Sequence, residues 1–155
     1  HKRTYRLVKG EVPLDEYTLP IGKADVKRTG SDISVITYGL MVHHCLEAAD
    51  TAAQKGIDSE VVDLRTLRPL DNEAIIQTAK KTGKILIVHE DNKALGIGAE
   101  VASVIAEQAF EYLDGPIRRL AGPEVPAMPF SPPLENMYML NSEKIANAIR
   151  ELADY

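Results

Sequence analysis

The stretch Lys84-Ile85-Leu86-Ile87-Val88-His89-Glu90-Asp91-Asn92-Lys93-Ala94-Leu95-Gly96-Ile97-Gly98-Ala99-Glu100-Val101 constrains this chain more than any other. Ile85 to Val88 are apolar in succession and mostly β-branched, which predicts a strand buried on both faces, as in the middle of a parallel sheet. His89, Glu90 and Asp91 follow it directly, and Gly96-Ile97-Gly98 then opens an amphipathic helix. Open α/β sheets bind ligands in crevices at the carboxyl ends of their strands, so these three ionisable groups are the first candidates for a site.

The rest of the chain repeats the alternation of strand and helix. Ile33–Tyr38 reads as a strong strand ended by Gly39, and Leu40–Gln54 as a helix with Val42, Cys45, Leu46, Ala49 and Ala53 on its apolar face, stopped by Gly56. Glu60–Leu64 reads as a strand. Asp71 is placed to cap a helix that carries Ile75, Ile76 and Ala79 inward and ends with Lys80, Lys81 and Gly83. The helix opened at Ile97 is expected to run to about Leu113, with Val101, Ile105, Ala109 and Tyr112 on one stripe. Pro116–Ala121 is a last short strand. Residues 122–133 hold five of the nine prolines and predict an extended surface loop. Asn141 or Ser142 caps a final helix that buries Ile145, Ile149 and Leu152. Lys23–Lys27 is a short polar strand suited to a sheet edge, and residues 1–20 read as a connector ahead of a single domain over 21–155. The order implies a three-layer α/β/α fold with a mostly parallel sheet.

Charge and cysteine content narrow the function classes. With 18 basic and 23 acidic side chains the net charge is −5 and no basic block occurs, which argues against a nucleic-acid surface. No apolar run reaches membrane-spanning length and no charged-then-apolar leader is present, so a soluble protein is expected. Cys45 is the only cysteine, which excludes an intrachain disulfide and fits the cytoplasm or another reducing compartment.

If the strand order reverses beside Ile33–Tyr38, a switch-point crevice lies between Gly39 and His89, Glu90 and Asp91. Each candidate has a plainer reading. Gly96-Ile97-Gly98 resembles the start of a dinucleotide fingerprint, but Val101 stands where the third glycine belongs. His43 and His44 point about 100° apart on a helix and no carboxylate completes a metal site, so no metal is expected. His89, Glu90 and Asp91 form either an acid–base cluster or a hydrogen-bonded polar loop, and without further catalytic partners the loop is favoured. Two classes of function remain open on these residues: a stand-alone regulatory module binding a small anionic ligand at the crevice, and an enzyme using the three ionisable groups.

Longer motifs add a resemblance. Tyr5-Arg6-Leu7-Val8-Lys9-Gly10-Glu11-Val12-Pro13, Tyr17-Thr18-Leu19-Pro20-Ile21-Gly22-Lys23-Ala24, Val61-Val62-Asp63-Leu64-Arg65-Thr66-Leu67-Arg68-Pro69-Leu70-Asp71 and Pro116-Ile117-Arg118-Arg119-Leu120-Ala121-Gly122 follow in order along the chain. They resemble the C-terminal domain of the β subunit of thiamine-diphosphate-dependent 2-oxo acid dehydrogenases. Ile87-Val88-His89-Glu90-Asp91 and Gly122-Pro123-Glu124-Val125-Pro126-Ala127-Met128-Pro129-Phe130 are most similar to the branched-chain (2-oxoisovalerate) members, while Gly98-Ala99-Glu100 is also similar to the pyruvate members.

The resemblance implies a transketolase C-terminal-like fold of five strands, the first antiparallel at an edge. It places Lys23–Lys27 beside Glu60–Leu64, whereas local pattern alone would pair it with Ile33–Tyr38 as a hairpin across Gly30. The edge placement is the expectation. It further implies an α2β2 parent enzyme, with an α subunit and a second β subunit as partners, that oxidatively decarboxylates 2-oxo acids and passes the acyl group to a lipoyl arm. Thiamine diphosphate and Mg²⁺ are the parent's cofactors and are not expected on this domain, since the Gly-Asp-Gly…Asn motif that holds them is absent from the sequence. No catalytic, cofactor-binding or metal-binding residue is therefore assigned. The domain's expected role is assembly, including docking of the acyltransferase's peripheral subunit-binding domain at a C-terminal acidic and aromatic cluster of Glu151, Asp154 and Tyr155.

Overall fold

The structure is a computed structural model that describes residues 2 and 4–155. His1 and Arg3, the start of the expected connector, lie outside the described residues. A five-stranded sheet is built from β1 (Asp25–Arg28), β2 (Ile33–Thr37), β3 (Ser59–Asp63), β4 (Ile85–Asn92) and β5 (Arg118–Gly122), in the order β1-β3-β2-β4-β5. Only β1 is antiparallel, and it pairs with β3 through Asp25↔Asp63, Val26↔Val62 and Arg28↔Val61. The edge placement implied by the resemblance is what the chain adopts, and the local hairpin is not formed. Gly30 explains the route: a Cβ there would overlap the backbone of Ser59 and Glu60. The turn therefore crosses tight against the start of β3, where Ser31 and Asp32 both donate N–H to the Asp58 carbonyl, and β2 begins on the far side.

Helices α1 (Thr4–Leu7), α2 (Met41–Ala53), α3 (Asn72–Thr82), α4 (Ile97–Gln108), α5 (Pro132–Tyr138) and α6 (Ser142–Ala153) complete the fold. α2 and α6 cover one face of the sheet around Ile33, Val35, Met41, Val61, Leu86, Val88, Ile145 and Ile149. α3 and α4 cover the other around Ile36, Leu64, Ile75, Ile85, Ile87, Val101 and Ile105. The caps fall where the sequence signals them. Asp71 accepts the Ala74 N–H at 3.2 Å, Asn141 accepts the Lys144 N–H at 2.9 Å, and Gly83 ends α3 at φ +65°, a conformation that favours glycine.

Several expectations are corrected. His89, Glu90 and Asp91 do not follow the central strand; they belong to it, because β4 continues to Asn92 alongside β5, with an irregularity between Val88 and Asn92. α4 stops at Gln108, and a single 3-10 turn over Phe110–Tyr112 replaces its last turn. Tyr112 therefore leaves the buried stripe; it lies half out in solvent, with the Lys80 ammonium 4.7 Å above its ring. Residues 123–131 are irregular as expected, but Pro132 and Pro133 open α5, where a missing N–H costs nothing. The expected connector contains α1, and no helix or strand follows it until β1. No described helix is long and apolar enough to cross a membrane.

Candidate functional site

The sheet order reverses between β2 and β4, so the switch point falls where the sequence located it. At the end of β2, Tyr38 and Gly39 turn the chain into α2, with Gly39 at φ +63°. Across from them β4 brings His89, Glu90 and Asp91. The four candidate residues are thus gathered at one end of the sheet.

The alternation of β4 decides what each group can do. Ile85, Ile87 and His89 face α3 and α4, which buries His89 to 1 % exposure, while Asp91 lies in solvent and Glu90 between the two. The His89 ring stacks on Tyr38 with centroids 6.4 Å apart and planes 14° from parallel. Above it sits the first turn of α4. A Cβ on Gly96 would come within 2.9 Å of His89 Cε1, and one on Gly98 would overlap Nε2. The two glycines therefore admit the imidazole under the helix start. Neither ring nitrogen has a hydrogen-bond partner of good geometry. Burial pushes the imidazole below its ordinary pKa of 6.5; the Asp91 carboxylate opposes that shift, the Arg119 guanidinium reinforces it, and the Asp91 backbone opposes it again. Burial, reinforced by Asp91 and Glu90, raises the Tyr38 phenol in turn. The switch point is a packed aromatic pair with acidic groups outside it.

Sequence reasoning missed Tyr38 and read the glycines only as a possible phosphate turn. Small residues two apart at a helix start, opposite a histidine on a strand, were the available signal. It also missed an apolar cluster near this end of the sheet. α5 reaches back to the end of β4, since a Cβ on Gly122 would meet the Tyr138 hydroxyl at 2.9 Å and the Asp91 carbonyl at 3.2 Å. Val125, Phe130, Leu134 and Met137 are exposed there, and Leu95 is fully exposed at φ +60°. The signal was bulky apolar side chains inside a proline-rich segment without a period.

The C-terminal candidates lie apart from the switch point. Glu151, Asp154 and Tyr155 are exposed at the end of α6. Tyr155 lines a groove of about 640 Å³ with Phe110, Leu113, Pro116 and Ile117, and Glu111 and Asp114 add acidic groups to it. His43 and His44 border a separate cavity of about 580 Å³ beside Glu47 and Glu135. Among the described residues no three His, Cys, Asp or Glu side chains are grouped to hold a metal ion. Cys45 is buried, its thiol pushed up to about 12 by burial.

The profile of the transketolase, C-terminal domain family matches residues 22–145. The chain is 59 % identical over 155 residues to the 2-oxoisovalerate dehydrogenase subunit beta of Bacillus subtilis (strain 168), covering 100 % of this chain and 47 % of that protein. It is 43 % identical over 151 residues to the acetoin:2,6-dichlorophenolindophenol oxidoreductase subunit beta of Cupriavidus necator, covering 97 % of this chain and 44 % of that one. It therefore spans about half the length of these curated relatives. Among solved structures, a split gene transketolase described as an inactive beta4 tetramer superposes with a TM-score of 0.78 at 26 % identity, over 94 % of this chain and 46 % of that one. The reversed strand order, the antiparallel edge and the profile over residues 22–145 all describe one domain, and the chain belongs to the transketolase C-terminal domain family.

Proposed function

We propose that this chain is the C-terminal assembly domain of the β subunit of a branched-chain 2-oxo acid dehydrogenase. The observation that carries this reading is the 59 % identity along all 155 residues to a 2-oxoisovalerate dehydrogenase subunit beta. Thiamine diphosphate supplies the decarboxylating chemistry of such an enzyme, with Mg²⁺ holding its diphosphate. The first turn of helix α4, whose glycines resembled the start of a dinucleotide fingerprint, is filled from beneath by the His89 ring and does not fit a diphosphate. On this reading the residues that hold the cofactor belong to the α subunit and to the other half of β. The corresponding domain of a pyruvate or acetoin dehydrogenase is the alternative, and substrate choice separates them.

Co-expression with an α subunit and the N-terminal half of a branched-chain β subunit, followed by turnover assays on 2-oxo acids, tests the reading. Highest kcat/KM on a branched-chain 2-oxo acid, with none from the chain alone, is the expected result. Preference for pyruvate would move the chain to the alternative, and turnover by the chain alone would overturn the assembly role.

Within that role, the exposed apolar residues around α5 suit contact with the other subunits. Glu151, Asp154 and Tyr155 suit a basic partner such as the acyltransferase's peripheral subunit-binding domain; the acidic groups steer it and the groove beside Tyr155 receives apolar side chains. Removal of Asp154 and Tyr155 should weaken that binding through a faster off-rate and flatten its salt dependence, with the fold intact. Unchanged affinity across a salt series would take this end out of the interface. Gly39, His89, Glu90 and Asp91 contribute by shaping the switch-point end of the assembly surface.

A further inference from the structure

A buried imidazole with no hydrogen-bond partner is an unusual component of a core, because each ring nitrogen that loses water without gaining a partner costs stability. His89 comes close to that description: neither ring nitrogen makes a hydrogen bond of good geometry, the Asp91 backbone is the polar group that approaches the ring, and its other neighbours fit the neutral imidazole. Tyr38 stacks on one side, Gly96 and Gly98 leave room for it beneath α4, and Ile87 adds an apolar neighbour on the same face. The segment it supports also rests on the Asn92 backbone, against Gly96, and on Ile87, against Gly98. Residues 93–96 project Leu95 into solvent, and their far side is tied to β5 by the Lys93 N–H to the Gly122 carbonyl at 3.2 Å and by Arg119 Nη1 to the Lys93 carbonyl at 2.9 Å.

We propose that His89 is a proton-operated latch, whose neutral ring holds the 93–96 loop and the first turn of α4 against the switch point and whose protonation releases them. A protonated ring carries two donors and a full charge into a site whose nearest surfaces are glycine CH₂ groups, a tyrosine face and an aliphatic side chain. The start of α4 adds the partial positive charge of its free N–H groups. The charged and titratable groups around the ring divide as follows: Tyr38 follows β2, Glu90 and Asp91 are on β4, Arg119 is on β5, and Lys93 and Glu100 on the loop and α4 point into solvent. Asp91 favours the proton, Arg119 opposes it, and burial opposes it most. The charged ring is better satisfied by moving toward water and the Asp91 carboxylate, which withdraws part of the support from Gly96 and Gly98. The surface reshaped in this way includes Leu95 and Asp91, so acidification alters the exposed rim of the switch point while the sheet beneath keeps its strands. This inference stands on the packing alone and holds for any partner of the domain.

The test is amide hydrogen exchange of the full chain, expressed as protection factors, from about pH 7.5 to about pH 5.5, spanning the range in which an imidazole titrates. Residues 93–101 should lose about tenfold in protection, while β2 keeps its protection. His89→Leu should abolish the pH dependence in that segment, and Asp91→Asn should move it to lower pH. If His89→Leu fails to fold, the NMR titration of the His89 ring in the unmodified chain replaces it, and its midpoint must coincide with the loss of protection. A flat profile in the unmodified chain, the same loss in His89→Leu, or a ring titration out of step with the exchange would each overturn the latch.

Discussion

Under α2 and α6 the sheet meets a cluster of aliphatic residues, with Cys45 as its one ionisable member. Under α3 and α4 it meets an apolar cluster of similar make-up, but the three other buried ionisable side chains among the described residues, Glu60, Asp71 and His89, all lie on that side. Glu60 is satisfied by Thr78 and Lys81 within a chain of hydroxyls from Ser34 and Thr82. Asp71 caps α3 and also accepts the Ala24 N–H at 3.0 Å, which fastens the segment leading into β1. The difference teaches that one face answers only to volume, whereas the other answers also to protonation and to the loss of single polar partners.

Truncation on the aliphatic face should have the largest effect. Ile149→Ala empties a fully buried site between α6 and the sheet and should cost about 2–5 kcal/mol in denaturant unfolding, equally at neutral and mildly acid pH. A loss that grew on acidification would break the comparison. On the other face, Asp71→Ala removes one acceptor from two backbone N–H groups and should cost about 1–2 kcal/mol, with exchange rising at Ala24 and Ala74.

A graded effect follows from His89. Its folded pKa lies below the unfolded value of 6.5, so its contribution is fully present above 6.5 and is lost as pH falls from there toward the folded value. Unfolding free energy measured against pH should decline across that window and lose the decline in His89→Leu. Asp25, held below 3.8 chiefly by Lys27, keeps its contribution above 3.8 and loses it only as pH falls below that, so the two windows separate. The smallest effect should come from Glu100→Gln. Glu100 sits exposed in the first turn of α4, where its charge is worth about 0.3–1 kcal/mol, so thermal unfolding should barely move and the turnover of an assembled parent enzyme should persist.

Much of this architecture was legible because its signals are local. The apolar run 85–88, the caps at Asp71 and Asn141, the stop at Gly83 and the stripe Ile145, Ile149, Leu152 are each decided within a few residues. The strand ends were less so. Polar His89, Glu90 and Asp91 look like a loop, and only pairing of Asn92 with Gly122 extends β4 through them. The helix break at Gln108 and the helix opened by Pro132 were hidden for a related reason: Tyr112 continues the helical spacing, and prolines read as loop until one of them occupies a first turn. The candidate site was legible as an address, since the switch point gathers Gly39, His89, Glu90 and Asp91, but not as an environment.

What the sequence by itself determined is the order of strands and helices, their caps and which face of each helix is apolar, since these depend on neighbours three or four positions away. Its longer motifs also carried the family resemblance, and with it the antiparallel edge that local pattern would have misplaced. Only the tertiary structure decided that Gly30 must slip past β3, that β4 turns His89 inward, and that Gly96 and Gly98 close over it. Those outcomes rest on contacts between residues far apart in the chain, whose free energy appears only when the sheet has assembled and water has left the space between its strands and helices.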